Sequence, residues 1–107
     1  MERIKQSFSF AASGTTLSRP VCVSGIMTHY TLVCPNFTNA VTTTLSVEDS
    51  DGVTIWTGNA NNESGTYLVS GLSVPVDYGF TLTATLSGAA GAGGGMVVAA
   101  MFVDTRN

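Results

Sequence analysis

Charge is what this 107-residue chain has least of. Asp, Glu, Lys and Arg together make up 10% of it, against about 25% in an average soluble domain. The four basic residues, Arg3, Lys5, Arg19 and Arg106, are scattered, and no five-residue window holds three of them. A groove that tracks phosphates needs a clustered basic stripe, so with a net charge of −3 no nucleic-acid partner is expected. The chain has a single histidine and two cysteines, Cys22 and Cys34, whose spacing fits no zinc or redox motif. Both cysteines sit in β-like runs, where a buried free thiol is the favoured reading and a disulfide the alternative. No apolar run approaches the roughly 20 residues that cross a bilayer as a helix, so no membrane partner is expected. The opening Met-Glu-Arg-Ile-Lys-Gln-Ser-Phe lacks the apolar core of a secretory signal. If the chain begins there, export by the general route is not expected.

What is present is apolar and β-branched. Hydrophobic residues reach 44%, and Thr and Ser supply most of the polarity. That composition excludes disorder, and the length suits one domain, 1–107, with a single core. Residues 2–10 alternate, with Ile4, Phe8 and Phe10 on one parity. Extended runs follow at 16–24, interrupted by Pro20 as in an edge strand or a bulge, and at 26–34. In 40–48, Val41, Thr43, Leu45 and Val47 share a face. Asp49-Ser-Asp-Gly52 is the clearest hairpin turn, with 53–57 as its partner strand. A polar loop spans 58–65, a short strand 66–70 and a link 71–77. Strands at 78–86 and 96–103, joined by the glycine-rich 88–95 segment, read as a closing hairpin. The later strand is apolar on both parities, which predicts cover on both faces. About eight strands with turns between them predict an all-β, antiparallel β-sandwich, Ig-like Greek key or jelly roll.

Every chemistry-bearing motif has a plainer explanation. The glycine segment is followed by Met96-Val97, not the Lys-Ser/Thr of a phosphate loop, and it precedes a strand, not a helix. It reads as a flexible hairpin tip. Glu48, Asp49 and Asp51 lack the further oxygen ligands of a calcium loop and suit turn chemistry. His29 has no recognisable nucleophile and carboxylate to serve. Asn36-Phe-Thr and Asn62-Glu-Ser match the glycosylation acceptor pattern by composition. Trp56 and Tyr67 lie near the polar loop, where exposed aromatics would stack on sugar rings; core or interface packing is the favoured reading. No catalytic residue, cofactor or metal site is expected, and therefore no enzyme.

Two resemblances follow from these residues. Thr66-Tyr-Leu-Val-Ser-Gly-Leu-Ser-Val-Pro-Val-Asp-Tyr-Gly-Phe-Thr-Leu-Thr-Ala resembles the later half of a fibronectin type III or related immunoglobulin-like domain. It implies Tyr78 as a corner tyrosine and Leu72 as the core leucine beside it. Trp56 follows both cysteines, which departs from the antibody-type core. The whole chain resembles the small all-β virion proteins of tailed bacteriophages, particularly capsid decoration (cement) proteins: compact, rich in Thr, Ser, Gly and Val, and opening on a β arm. That resemblance implies a virion location on the capsid surface after synthesis in the host cytoplasm. It implies the major capsid protein, copies of itself, or both as partners, with a trimer favoured. On this reading the 1–10 arm, through Ile4, Phe8 and Phe10, carries subunit exchange or strand addition. The alternative is a glycan- or host-surface-binding module of a phage fibre or adhesin, with Trp56 and Tyr67 as contacts.

Overall fold

The computed structural model describes residues 2–62 and 64–105; Arg106 and the Glu63 of the second acceptor pattern lie outside them. The described residues form ten strands and no helix. They are β1 Glu2–Phe10, β2 Thr16–Val21, β3 Gly25–Cys34, β4 Thr42–Glu48, β5 Thr54–Thr57, β6 Asn61–Asn62, β7 Gly65–Val69, β8 Val74–Val76, β9 Phe80–Leu86 and β10 Gly95–Asp104. Two antiparallel sheets result. Sheet I runs β1-β10-β3-β7, with β8 also on β3; sheet II runs β2-β9-β4-β5, with β6 also on β4.

The ten strands are eight courses, two of them broken. β5 and β6 lie along successive stretches of β4, and β7 and β8 along successive stretches of β3. Counted as courses, first pairs with last, second with seventh, third with sixth and fourth with fifth. This is a long antiparallel ribbon rolled up on itself, the jelly roll, and it decides between the two sandwich topologies the sequence allows. The tip of the ribbon is the Asp49–Gly52 turn. There Asp49 Oδ1 accepts from the backbone N–H of Asp51 (3.0 Å) and Val53 (2.9 Å), and Gly52 N–H donates to the Asp49 carbonyl (3.0 Å).

The core lies between the sheets. Leu45, Val47, Phe80, Leu82 and Ala84 of sheet II face Phe8, Met27, Tyr30, Leu32, Val97, Ala99 and Met101 of sheet I, all fully buried. The strand parities at 2–10 and 40–48 therefore hold. They also correct the reading of the first segment. It is not a free arm: it pairs with β10 from Glu2↔Val103 to Phe10↔Gly95. Phe8 and Phe10 are buried in the chain's own core and Ile4 packs against it. Burying each Phe contributes about 1.5–3 kcal/mol, so removal of residues 1–10 would unfold the protein instead of releasing a competent core.

The closing hairpin is a second correction. β9 pairs with β2 and β4, β10 with β1 and β3, so residues 88–95 cross between sheets. The crossing is tied down. Asn39 N–H donates to the Ala90 carbonyl (3.1 Å), Thr38 Oγ1 to the Ala92 carbonyl (2.7 Å) and Gly91 N–H to the Ala12 carbonyl (2.9 Å), while Ala90 enters the core. Gly94 has φ +60°, and a Cβ there would fall on the Phe10 carbonyl oxygen. Gly93, at φ +83°, faces open space. Gly94→Ala is expected to destabilise the protein by about 3 kcal/mol and Gly93→Ala by about 1 kcal/mol, a contrast that urea unfolding curves will read directly.

Candidate interaction surfaces

With one face of each sheet in the core, function must lie on the outer faces, the edges or the openings between sheets. The two outer faces differ sharply. On sheet II the register places Ser18, Thr83, Ser46 and Thr57 in one row across four strands. Neighbouring positions are Thr16, Thr42, Thr44, Thr81 and Thr85, a carpet of hydroxyls. Ser18 Oγ and Thr83 Oγ1 are hydrogen-bonded at 2.9 Å, and Thr83 Oγ1 donates to Glu48 Oε1 at 3.4 Å. On sheet I the corresponding rows are Lys5-Ala100-Thr31-Leu68 and Ser7-Val98-Val33-Thr66. Leu68 is 67% exposed, Met96 50% and Val33 44%. The expected cover on both faces of β10 is met only in part within this chain: its inner residues are buried, and on its outer face Ala100 is buried, Val98 and Phe102 are half-buried and Met96 is open, which adds three side chains to an apolar stripe. Arg3 and Lys5 on β1 border this stripe. His29 lies on the same face, its ring stacked on Phe102 (4.2 Å between centroids, 13° between planes) and its Nδ1 3.0 Å from Thr28 Oγ1. Thr28 is the extra residue of a β-bulge.

The residues singled out as possible sugar contacts separate. Trp56 turns inward, opposite Val47, and meets the Tyr30 ring edge-to-face at 5.6 Å and 74°. Its strand neighbours Val53 and Ile55 point out. Tyr67, opposite Leu32, is half-buried and packs against the core away from Trp56's cleft. Where the β5–β6 course breaks at Gly58–Ala60, the sandwich opens into a cleft of about 210 Å³. Its walls are Trp56, Thr57, Asn59 and Asn61 from sheet II, with Tyr30, Val69 and Leu72 from the other side. Tyr30 is fully buried, and its hydroxyl has no hydrogen-bond partner among the described residues. Burial, and to a smaller degree Cys34, raises its phenol above the ordinary value. Sequence reading missed Tyr30 because it sits mid-strand among ordinary core residues.

Tyr78 is 68% exposed, so it is not a buried corner tyrosine; the chain turns into β9 through Gly79 without needing its hydroxyl. Leu72 does pack against the core. Asp77 fixes the ribbon tip to the β8–β9 link, accepting from Ser50 Oγ at 2.6 Å. That bond, chiefly, holds its carboxyl below the ordinary range. Cys22 is exposed and Cys34 buried, and both are free thiols. Cys22 departs from the expected burial because it follows the end of β2, outside the inward parity.

No protein-family model matches the chain, and no curated protein shows significant similarity to it. Among solved structures it is similar to chains from two strains of infectious bursal disease virus. For the Gx strain the identity is 13% and the TM-score 0.39, over 99% of this chain and 32% of that one. For the Gt strain the identity is 13% and the TM-score 0.35, over 94% and 29%. The chain thus spans about a third of those chains' length. Likeness at this level carries no functional argument.

Two tests follow from the site geometry. Burial pushes the Cys34 thiol up, and the adjacent Thr43 hydroxyl only partly offsets this. Iodoacetamide labelling followed by mass spectrometry should therefore modify Cys22 alone in the native protein and both cysteines in urea. For Asp77, a carboxyl lowered in the folded state adds stability above its unfolded value and loses it as pH falls through the folded value. In Ser50→Ala, carbon-detected NMR titration should find the Asp77 carboxyl moved up towards the ordinary carboxylate range, with acid unfolding beginning at higher pH.

Proposed function

We propose that this chain is a structural virion protein, a capsid decoration protein that binds the outer shell with its sheet I face and stabilises the assembled lattice. The apolar stripe of exposed Leu68, Val33 and Met96 with half-buried Val98 and Phe102, on a weakly charged molecule, carries this reading. A contiguous apolar surface of this kind marks a place that is covered in use. The jelly roll recurs in viral capsid and lectin domains, which supports the class by analogy of fold. The mechanism is mass action. A protein that binds only the assembled shell adds its binding free energy to that state and opposes expansion and rupture. Nothing in this role calls for catalysis or a cofactor. Its partners are the major capsid protein and copies of itself, with a trimer favoured. Its place is the capsid surface after synthesis in the host cytoplasm.

The double variant Val33→Lys, Leu68→Lys tests the face. Both side chains are exposed, so urea stability should change by no more than about 1 kcal/mol. Co-sedimentation with purified capsids from the source culture should be lost. Quantitative mass spectrometry of those particles should count hundreds of copies. Wild-type sedimentation by the double variant, or no copies in the particle, would overturn the proposal.

A further inference from the structure

The cleft at the break in the β5–β6 course is built differently from the rest of the surface. One wall is the Trp56 indole, held edge-to-face by Tyr30. The rim carries Thr57, Asn59 and Asn61, whose hydroxyl and amides offer both donors and acceptors. No charged side chain among the described residues lines it. On its floor lies the Tyr30 hydroxyl, buried and without a partner among the described residues. A buried hydroxyl left unpaired is costly, and one that persists calls for a group that completes it. Gly58 keeps the floor open: a Cβ there would lie 2.9 Å from Trp56 Cη2 and 3.0 Å from Tyr30 Oη.

These features specify a ligand. The described lining is neutral and apolar-to-amide in character, which suits an uncharged ligand. A cleft of about 210 Å³ admits one six-membered ring with substituents, since benzene fills a cavity of about 150 Å³. The negative face of an indole attracts the positive edges of C–H bonds. The surrounding amides and hydroxyls require a ligand that both donates and accepts around its perimeter. A pyranose ring has an apolar C–H face and a rim of hydroxyls, and meets all three demands. We propose that this cleft binds one neutral pyranose unit, stacked on Trp56, with its hydroxyls on Asn59 and Asn61 and one of them completing the Tyr30 hydroxyl. This site is independent of the shell-binding face, which lies on the outer side of sheet I.

Trp56 is the sole tryptophan, so its fluorescence reports the site directly. The intact protein would be titrated with the methyl glycosides of glucose, galactose, mannose and N-acetylglucosamine, and with cyclohexanol as a ring lacking the full set of hydroxyls. At least one glycoside should shift the Trp56 emission saturably in the millimolar range, and cyclohexanol should not. Asn59→Ala and Tyr30→Phe should each weaken that affinity about tenfold, the worth of one good hydrogen bond. Gly58→Ala should abolish it. Asn59 is exposed, so its variant tests binding even if Gly58→Ala fails to fold. Tyr30→Phe should melt no lower than the parent, because its hydroxyl bonds no group among the described residues; a purely structural tyrosine would show the opposite. Silence with every glycoside, an equal response to cyclohexanol, or unchanged affinity in Asn59→Ala would each overturn the assignment.

Discussion

The pairing of distant courses is the constraint on which everything else rests. β10 lies between β1 and β3 and hydrogen-bonds to both. Without it, sheet I has no centre, and Phe8 and Phe10 have no strand to hold them over the core. The inner face of β10 is Val97, Ala99, Met101 and Val103, mostly small or β-branched. Small residues there leave room for the large side chains opposite, among them Phe80 and Leu82 of β9. The glycine-rich crossing that delivers β10 to this position is tight, because it must pass beneath the β3–β4 link at Thr38–Asn39 and against the end of β1.

Scarcity of charge has a different meaning on the two outer faces. Sheet II meets water chiefly with hydroxyls, which hydrogen-bond to one another and to solvent, and its exposed apolar side chains are confined to Val53 and Ile55 at the β5 edge. Sheet I meets it with aliphatic and aromatic side chains. A monomer with this asymmetry has its main solubility liability on the sheet I side. The cleft beside Trp56 belongs to neither face. It lies where the edge course of each sheet is interrupted, opposite the middle of β4 in one and of β3 in the other.

Strand identity was legible in the residues; sheet membership was not. Alternation at 2–10 and 40–48 follows from the two-residue repeat of a strand, and Asp49-Ser-Asp-Gly52 from local backbone chemistry, so both could be read from neighbours in the chain. The crossing at 88–95 could not. A glycine-rich link between two apolar strands looks the same whether the strands pair with each other or with partners far away in sequence. The contacts of Asn39 and Ala12 that decide the matter come from other loops. Apolar residues on both parities of β10 predict burial on both sides, yet the outer side is covered only in part within the chain, fully at Ala100 and least at Met96. The Trp56–Tyr30 pairing joins the two sheets, and neither residue's neighbours announce the other. Tyr78 shows the same limit: a local likeness to an immunoglobulin-type corner does not supply the surrounding strands that would bury it.

A rolled ribbon also prescribes an economical route for acquiring its shape. Once the Asp49–Gly52 turn has joined β4 to β5, the third and sixth courses are already near each other. Each later pairing then closes only the slack left by the one before, which keeps the entropic cost of loop closure low at every step. The final step lays β1 on β10, the widest separation in the chain. Until that pairing forms β1 has no partner strand, and non-local all-β topologies fold in roughly milliseconds to seconds. In that interval the inward Phe8 and Phe10 and the double-sided apolar run of β10 are exposed together. The passage to the native state, more than the finished molecule, is where the chain is most exposed to clumping with its neighbours.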